Sequence, residues 1–453
     1  MIGGIDRDWG FTRLRGLLRS EEATRSALDI VSSIDTSLFS YTGRSTEYPH
    51  KLIRHVIHRA RANRRERQTI MTRYPDLQLL INGEWLSRPG EPVINPADES
   101  VIGTLPHATE ADLAEAAAAA EEGFRVWRRT SPAKRAEIII KAARLIRERV
   151  EELAVTMTLE QGKPIAESRM EILRACDIIE WDAAEGRRVY GRVIPSEPGM
   201  RRIVLRQPIG VVAAMSPWNF PVSSPARKVG GALSAGCSII LKASGETPGG
   251  AGQICVSPTR FFVHEAIYER FALSFGERAA VLKPGNGLDP ATRMGPLANL
   301  RRIAAMEAFT ADAKAKGARL LSGGSRAAGR GYFFPLTVLA DVPDDARAMQ
   351  EEPFGPLALL SPFHSLEEAI EKANSLPYGL AGYAFTNSAR NANRLAEELE
   401  VGNLSINHFV ASIAETPFGG VKESGYGREG GIEGLECYTV VKNVSHLFER
   451  QDR

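Results

Sequence analysis

Cysteine is scarce in this sequence of 453 residues, which contains only four. The four lie far apart and form no CxxC pair, which argues against a cysteine zinc site and against a disulfide framework. We therefore expect no metal site, reduced thiols and a cytoplasmic location. The four are Cys176, Cys237, Cys255 and Cys437.

The sequence also has little net charge and no long apolar run. The formal net charge is +2, so the charge balance favours neither nucleic acid nor a membrane as a partner. No apolar run reaches the ~18–20 residues that span a bilayer. The chain also does not begin with the apolar core of a signal peptide.

Aromatic residues are sparse, whereas glycine is plentiful. Aromatics make up 7% of the chain, against 41 glycines and a hydrophobic fraction of 43%. This composition suits an α/β protein with many tight turns between strands and helices. The length exceeds what one hydrophobic core organises, so we expect two or more domains.

The basic N-terminal extension, residues 1–73, differs from the rest and ends in the run HKLIRHVIHRARANRRERQ. Three interpretations stay open. A targeting or nucleic-acid-binding arm would explain the arginines, although several acidic residues dilute the charge. The second interpretation is a solvated helix or a disordered N-terminal segment. The third, which we favour, is that Met71 is the natural start, because the ordered pattern begins just after it.

Regular α/β patterning begins at Leu77. LQLLINGEW predicts a hairpin turning at Asn82-Gly83. Two amphipathic helices follow, with Thr109 and Ser131 as N-caps, the second running unbroken through LEQGK. GVVAAM and CSIILK are typical of buried parallel strands, joined by the helix RKVGGALSAG. The alternation resumes beyond residue 250, and the final ECYTVVKNVSH predicts a strand able to join a partner's sheet.

Chemistry is concentrated around Cys255. A lone cysteine is usually a small buried hydrophobic residue, but this one lies in the glycine-rich loop GGAGQICVSPTR, where backbone N–H groups can approach an anion. Asn219, in SPWNFP at a strand end, can donate to a developing oxyanion, or can simply stabilise a turn. Physical reasoning alone leaves these two interpretations even.

Five separated motifs stand out along the chain: SPWNFPVSSPARKVGGALSAGCSIILKASGETP, AGQICVSPTRFFVHE, EEPFGP, ANSLPYGLAGYAFT and PFGGVKESGYGREGG. Together they resemble the aldehyde dehydrogenase superfamily, and most closely its succinate semialdehyde and 2-oxoglutarate semialdehyde branch. The resemblance runs from about Leu77 to the C-terminus.

The resemblance implies a role for each matching residue. Cys255 matches the nucleophile that forms a thiohemiacetal and then a thioester, and Asn219 matches its oxyanion donor. NAD or NADP is the implied cofactor, and a small aldehyde, a short carboxylate-bearing semialdehyde, is the implied substrate. The residues that match cofactor positions are Trp218, Lys242, Glu352 and Phe354. Arg227 and Ser412 match groups that face the substrate's distal carboxylate, although a surface arginine remains the alternative for Arg227.

A stretch that the family contains is missing between Thr247-Pro248 and Gly249-Gly250. The resemblance places there further strands and helices, a Gly-Ser-Thr segment near the pyrophosphate, and an ELGG segment whose glutamate is the general base. Losing a general base typically costs ~10²–10⁴ in rate. We therefore expect an unstable or impaired enzyme, with Glu246 or Glu415 as the candidate substitute bases.

The expected architecture is aldehyde dehydrogenase-like α/β, assembled as a homodimer or homotetramer. It comprises a truncated Rossmann-type cofactor domain (74–191 and 207–248), a small β oligomerisation element (192–206 and 432–447) and an α/β catalytic domain (249–431). Two other functions stay open: an inactive remnant that associates with intact relatives, and a Cys255-dependent esterase-like activity.

Overall fold

The computed structural model describes residues 74–244 and 253–448, which belong to one unit spanning Met71–Arg453. The predictions for the basic N-terminal extension and for Glu246 lie outside the described residues. The α/β architecture expected from the sequence is confirmed.

Two hairpins open the described chain. β1 (Leu79–Ile81) and β2 (Glu84–Leu86) form the predicted hairpin, with Asn82 and Gly83 both at positive φ, as a tight two-residue turn requires. β3 (Gly90–Ile94) and β4 (Val101–Pro106) form a second antiparallel pair that the sequence pattern did not reveal.

Four helices follow these hairpins: α1 (Glu110–Trp127), α2 (Pro132–Glu148), α3 (Val150–Gln161) and α4 (Ile165–Glu185). Thr109 caps α1 in the predicted capping box, and the Ser131 side chain caps α2. The single long helix predicted from residue 131 onward was wrong, because Arg149 leaves helical geometry (ψ 16°) and separates α2 from α3. The break lets the two helices bury different faces.

The two buried faces belong to different cores. Ile139 and Ala143 of α2 pack with Ala175 of α4, whereas Met157 of α3 packs with Ile172 of α4. Gly162, at φ +79°, then ends α3 in the left-handed conformation that glycine adopts without strain.

A three-stranded antiparallel sheet combines distant parts of the chain. β5 (Arg192–Ile194) and the C-terminal β17 (Thr439–Leu447) pair with opposite edges of β6 (Met200–Pro208). β5 and β17 lie within the segments predicted as the oligomerisation element, whereas β6 extends beyond the predicted boundary at residue 206 to Pro208. The final strand forms where the β-branched pattern placed it.

The predicted strand–helix–strand unit is present. β7 (Val211–Met215) and β8 (Ser238–Lys242) pair in parallel, connected by α5 (Ser223–Ala235). In the described part of the chain they pair only with each other. Their carboxyl ends carry exposed apolar side chains, with Met215 at 74% and Leu241 at 40% exposure. Parallel strands normally lie in larger sheets that are covered on both faces, so this pair is unusually open.

The C-terminal half holds the larger parallel arrangement. β9 (Arg260–His264) pairs in parallel with β12 (Leu357–Phe363), which pairs in parallel with β11 (Thr337–Ala340). β10 (Arg319–Ser322) closes the other edge in the antiparallel direction. The helices of this half are α6 (Tyr268–Ala280), α7 (Leu300–Ala315), α8 (Arg347–Gln350), α9 (Leu366–Asn374) and α10 (Ala389–Glu398).

The core of this half is apolar on both faces of the sheet. Leu339 and Leu359 pack with Met306 of α7 on one face, while Val338 and Leu360 pack with Ala272 of α6 on the other. Burial on both faces explains why these strands read as continuous apolar runs. Two further strand pairs complete the described fold: β13 (Tyr378–Gly379) with β16 (Val421–Lys422), and β14 (Ala381–Ala384) with β15 (Asn403–Ile406).

Candidate active site

Cys255 lies in a tight turn before β9 and is partly buried. The Ser257 N–H donates to the Ile254 carbonyl at 2.8 Å and closes the turn. Next to it, Gln253 is 1% exposed, and its side-chain oxygen accepts from the Ala298 N–H at 2.9 Å. The Tyr383 hydroxyl donates to the Val256 carbonyl at 2.7 Å. The thiol is thus presented by a loop that is anchored on both sides.

The electrostatic surroundings of Cys255 do not favour its thiolate. Burial raises the pKa of the thiol, and the negative charge of Glu352 raises it further. Hydrogen bonds from the backbone and from the Asn219 side chain oppose this shift in the pKa without cancelling it. A thiol in this state needs a base before it can act as an efficient nucleophile.

Asn219, the predicted oxyanion donor, is 5% exposed, and a hydrogen bond from its side chain lowers the pKa of the Cys255 thiol. Its loop is fixed from α3 and the turn after it. Gln161 donates to the Trp218 carbonyl at 2.8 Å, and Lys163 donates to the Asn219 carbonyl at 3.3 Å. A donor held in this way loses little freedom when charge develops nearby.

The anchor of that loop is a buried ion pair that sequence reasoning missed. Lys163 Nζ lies 2.6 Å from Glu171 Oε2, with the two side chains 9% and 3% exposed. The other carboxylate oxygen of Glu171 accepts from the N–H groups of Val222 and Ser223, at 3.0 and 3.1 Å. In the sequence, Lys163 and Glu171 are eight residues apart in a helical region. The only signal was a lysine in EQGKP at a helix end.

Three of the predicted cofactor residues surround one cavity of about 500 Å³. Trp218 and Phe354 contact edge to face, with ring centroids 5.4 Å apart. Phe354 has a left-handed φ of +48°, a strained conformation for an aromatic residue. Partial desolvation raises the pKa of Glu352, although the charge of Arg302 counteracts it. Asn299, Arg301 and Arg302 complete the lining.

Lys242 lies apart from that cavity, at the carboxyl end of β8. Its backbone pairs with Met215 at the end of β7, and its side chain is exposed. Strand ends of parallel sheets are where dinucleotides bind in α/β proteins, so the position is compatible with the predicted role.

The two predicted substrate residues contact each other. Arg227 Nη2 donates to Ser412 Oγ at 2.7 Å, joining α5 to the loop after β15. The other terminal nitrogen, Nη1, is buried and has no hydrogen-bond partner in the described protein. The Arg227 guanidinium also lies 5.4 Å from the centre of the Phe418 ring. Burial lowers the pKa of Arg227, whereas the negative charges of Glu429, Asp182 and Cys255 raise it.

Glu415, a candidate substitute base, has an exposed side chain on the loop between Ser412 and Phe418. The carboxylate that acts on the thiol's pKa is Glu352 instead. Within the described residues, no group of three or more His, Cys, Asp or Glu side chains could hold a metal ion. No helix there is both long and apolar enough to cross a membrane.

Cys255, Asn219 and Glu352 therefore belong to one site, beside the cavity walled by Trp218 and Phe354. The model of the aldehyde dehydrogenase family matches residues 85–251 and 248–444. The chain therefore belongs to the aldehyde dehydrogenase family of oxidoreductases.

Individual relatives and one solved structure agree with this assignment. A putative 4-(hydroxymethyl)benzenesulfonate dehydrogenase of Comamonas testosteroni is 39% identical over 480 residues, covering 84% of this chain and 99% of the relative. The succinate-semialdehyde dehydrogenase [NADP(+)] of Escherichia coli (strain K12) is 34% identical over 465 residues, covering 81% of this chain and 96% of the relative. The crystal structure of succinate-semialdehyde dehydrogenase from Burkholderia pseudomallei is similar with a TM-score of 0.77 at 32% identity. The match covers 83% of this chain and 98% of that structure's chain. The resemblance stated from the motifs is thus confirmed.

Proposed function

We propose that this chain binds a small aldehyde with a distal anionic group and oxidises it to the acid through Cys255, more slowly than an intact relative would. The observation that carries the proposal is the arrangement of these side chains: Asn219 is buried and lowers the pKa of the Cys255 thiol by a hydrogen bond, and Arg227 donates to Ser412 at 2.7 Å and supplies a positive charge. The two relatives described above are named for compounds that carry a sulfonate or a carboxylate, which supports the anionic substrate class.

The thiol chemistry follows from the residues in place. The Cys255 thiolate adds to the aldehyde carbon and forms a thiohemiacetal, whose oxyanion accepts from the Asn219 amide and the Cys255 backbone N–H. Removing one such donor typically lowers the rate ~10²–10³-fold. Arg227 orients the substrate by pairing with its distal anion, and its Nη1 supplies a donor that has no partner among the described residues.

The residues present also fit the nicotinamide end of NAD or NADP. The cavity has an aromatic edge-to-face pair at its wall and a carboxylate, Glu352, able to accept from ribose hydroxyls. Lys242 stands at a strand end where the adenosine side would lie. When bound, the dinucleotide supplies the hydride acceptor for the thiohemiacetal. The Escherichia coli relative is named for NADP(+), which agrees with this cofactor class.

Slow turnover follows from an interval that this chain lacks. The alignments with the two relatives extend over 480 and 465 residues, which is more than the 453 residues of this chain. Only 84% and 81% of this chain, respectively, takes part in them. The two segments of the family match meet at residues 248–251, where the sequence jumps. The open β7–β8 pair is what removal of neighbouring strands would leave. The missing interval includes the general-base glutamate and the Gly-Ser-Thr segment. Thiol activation and thioester hydrolysis are therefore both slower.

The domain division and assembly belong to the same proposal. Residues 74–191 and 207–248 form the truncated cofactor domain, 249–431 the catalytic domain, and 192–206 with 432–447 the oligomerisation element. β17 occupies an edge of its sheet and has mostly exposed side chains, so it can pair with a second copy in a homodimer or homotetramer in the cytoplasm.

The test is a thermal melt of the purified protein with and without saturating NAD or NADP, followed by turnover of succinate semialdehyde. A melting temperature raised by the cofactor, with slow turnover abolished by Cys255→Ala, supports the proposal. Turnover at ordinary enzyme rates would show that impairment is wrong.

Two alternatives have distinct signatures in the same experiment. A melt unmoved by either dinucleotide, with Cys255-dependent hydrolysis of p-nitrophenyl acetate, would favour the esterase-like activity. A folded protein with neither property would favour the remnant that associates with intact relatives.

A further inference from the structure

A row of three aromatic rings extends from the Cys255 turn to the protein surface. Tyr383 stands at its inner end, where its hydroxyl donates to the Val256 carbonyl at 2.7 Å. The Phe409 ring lies 5.5 Å from the Tyr383 ring, and the Phe385 ring lies 5.1 Å from the Phe409 ring. These centroid distances are typical of favourable aromatic pairs.

The two outer rings are unusually exposed. Phe409 is 62% and Phe385 60% exposed, so the row leaves two adjacent phenyl groups in water. Scattered exposed apolar residues need no explanation, but neighbouring ones that lead to a reactive thiol mark a surface that a ligand covers.

The rings are held in place although they lie on loops. Asn407 accepts from the Thr386 N–H at 2.9 Å and donates to the Thr386 carbonyl at 3.0 Å, which locks the ends of β14 and β15 together. The Ser405 hydroxyl donates to the Val410 carbonyl at 2.9 Å, just beyond Phe409. A pre-positioned aromatic surface loses little conformational entropy when a ligand stacks on it.

The loop that carries the central ring also holds the cationic side chain of Arg227 on α5. Ser412, which holds Arg227 at 2.7 Å, follows Phe409 by three residues. Tyr383 contacts the carbonyl of Val256, the neighbour of Cys255, and Arg227 contacts the loop of Phe409 through Ser412, so the ring row and the arginine belong to one region of the site. A ligand reacting there meets an apolar planar wall and a positive charge together.

We propose that the aldehyde this site selects is aromatic, a benzaldehyde that carries a sulfonate or carboxylate on the ring. Its ring stacks on the row formed by Tyr383, Phe409 and Phe385, and its anion pairs with Arg227. The inference rests on the proposed function and deepens it, because the anion alone would equally admit an aliphatic semialdehyde. The specificity-determining residue is Phe409, the ring that contacts both others.

The test measures dissociation constants by isothermal titration calorimetry on the full chain carrying Cys255→Ala, which removes differences in covalent reactivity. The probes are 4-formylbenzenesulfonate (ring and anion), benzaldehyde (ring only) and succinate semialdehyde (anion only). We expect the first to bind about tenfold more tightly than either of the others. Phe409→Ala then weakens both aryl probes by about tenfold and leaves succinate semialdehyde within about twofold. Trp85→Ala, at a similarly exposed aromatic residue on β2, changes none of them.

Three results would overturn the inference. Phe409→Ala has no effect on the aryl probes, or weakens all three probes equally, or changes the assembly state in light scattering, which would assign the ring to a subunit interface. Failure of the proposed anion site can be distinguished from failure of the ring row. If the anion site is wrong, Arg227→Gln leaves the dissociation constants of the anionic probes unchanged. The effect of Phe409→Ala on benzaldehyde binding still tests the ring row.

Discussion

Lys163 and Glu171 form an ion pair inside the protein, 2.6 Å apart, and through it the α3–α4 region holds the loop that carries Asn219. Each charge has a second task. Lys163 donates to the Asn219 carbonyl, and Glu171 accepts from two N–H groups at the start of α5. The pair therefore positions the proposed oxyanion donor without touching the substrate.

Removing one charge of this pair should destabilise the whole protein. Glu171→Gln leaves the buried ammonium of Lys163 without its counter-charge, which typically costs about 3–5 kcal/mol of the free energy of unfolding. Urea unfolding followed by circular dichroism measures the change. The double variant Lys163→Met/Glu171→Gln should recover most of the loss, because it removes both charges and keeps a side-chain oxygen that accepts from the Val222 and Ser223 N–H groups. A single variant as stable as the original chain would contradict the assignment.

The reactivity of Cys255 should depend on Glu352. Replacing Glu352 by Gln removes a negative charge that raises the pKa of the thiol, so alkylation by iodoacetamide at pH 8 should accelerate by roughly two- to fivefold. Mass spectrometry of the labelled peptide gives the rate. Glu351→Gln, at the exposed neighbour paired with Arg347, is the matched control. Equal rates in the two variants would mean that Glu352 does not act on the thiol.

The rate of Cys255 alkylation should also rise with pH in the original protein. Below its pKa, each pH unit increases the thiolate fraction about tenfold, and burial places this thiol's pKa above the ordinary value. The rate should therefore climb steadily from pH 7 to pH 9. A plateau at or below pH 8 would show a thiol activated by a base that the described residues do not reveal.

Asp182 should make the protein less stable as pH rises. Burial raises the pKa of its carboxyl group to about 7 from 3.8, so the folded protein keeps a proton that the unfolded chain releases near pH 4. Stability therefore falls between pH 4 and pH 7. Asp182→Asn removes this loss, and its stability advantage should grow by about 2–3 kcal/mol from pH 5 to pH 7.5.

Urea unfolding at both pH values checks this prediction. Asp177→Asn, at an exposed aspartate on the same helix, is the matched control. Burial also raises the pKa of Glu160 to about 7. Because all the variants keep Glu160, its contribution cancels in the difference in stability between them. An advantage of Asp182→Asn that is constant with pH would show that the Asp182 carboxyl group is ionised throughout.

Sequence patterns predicted local structure well where one residue decides it. The Thr109 cap, the Ser131 cap and the Asn82-Gly83 turn each satisfy their own backbone groups and appear as expected. Among the residues that the motif resemblance singled out, Arg227 and Ser412 contact each other, whereas Lys242 lies apart from the cavity. Their individual roles stay predictions until the variants are measured.

The rest depends on contacts between distant parts of the chain. The break at Arg149 follows from which neighbours α2 and α3 bury, and helical periodicity alone continues through it. The ring row joins Tyr383 on β14 to Phe409 beyond β15, a proximity created by strand pairing. The sequence places Tyr383 in the motif ANSLPYGLAGYAFT, but it does not reveal the neighbours of its ring.

The open β7–β8 pair has a consequence for the dynamics of the molecule. Local opening is least costly where few buried contacts hold the strands, so β7 and β8 should exchange their amide hydrogens before β11 and β12, which lie between two apolar layers. The proposed cofactor half would then spend part of its time locally unfolded while the thiol half stays intact. A dinucleotide that binds only the closed form would lose apparent affinity in proportion to that open fraction.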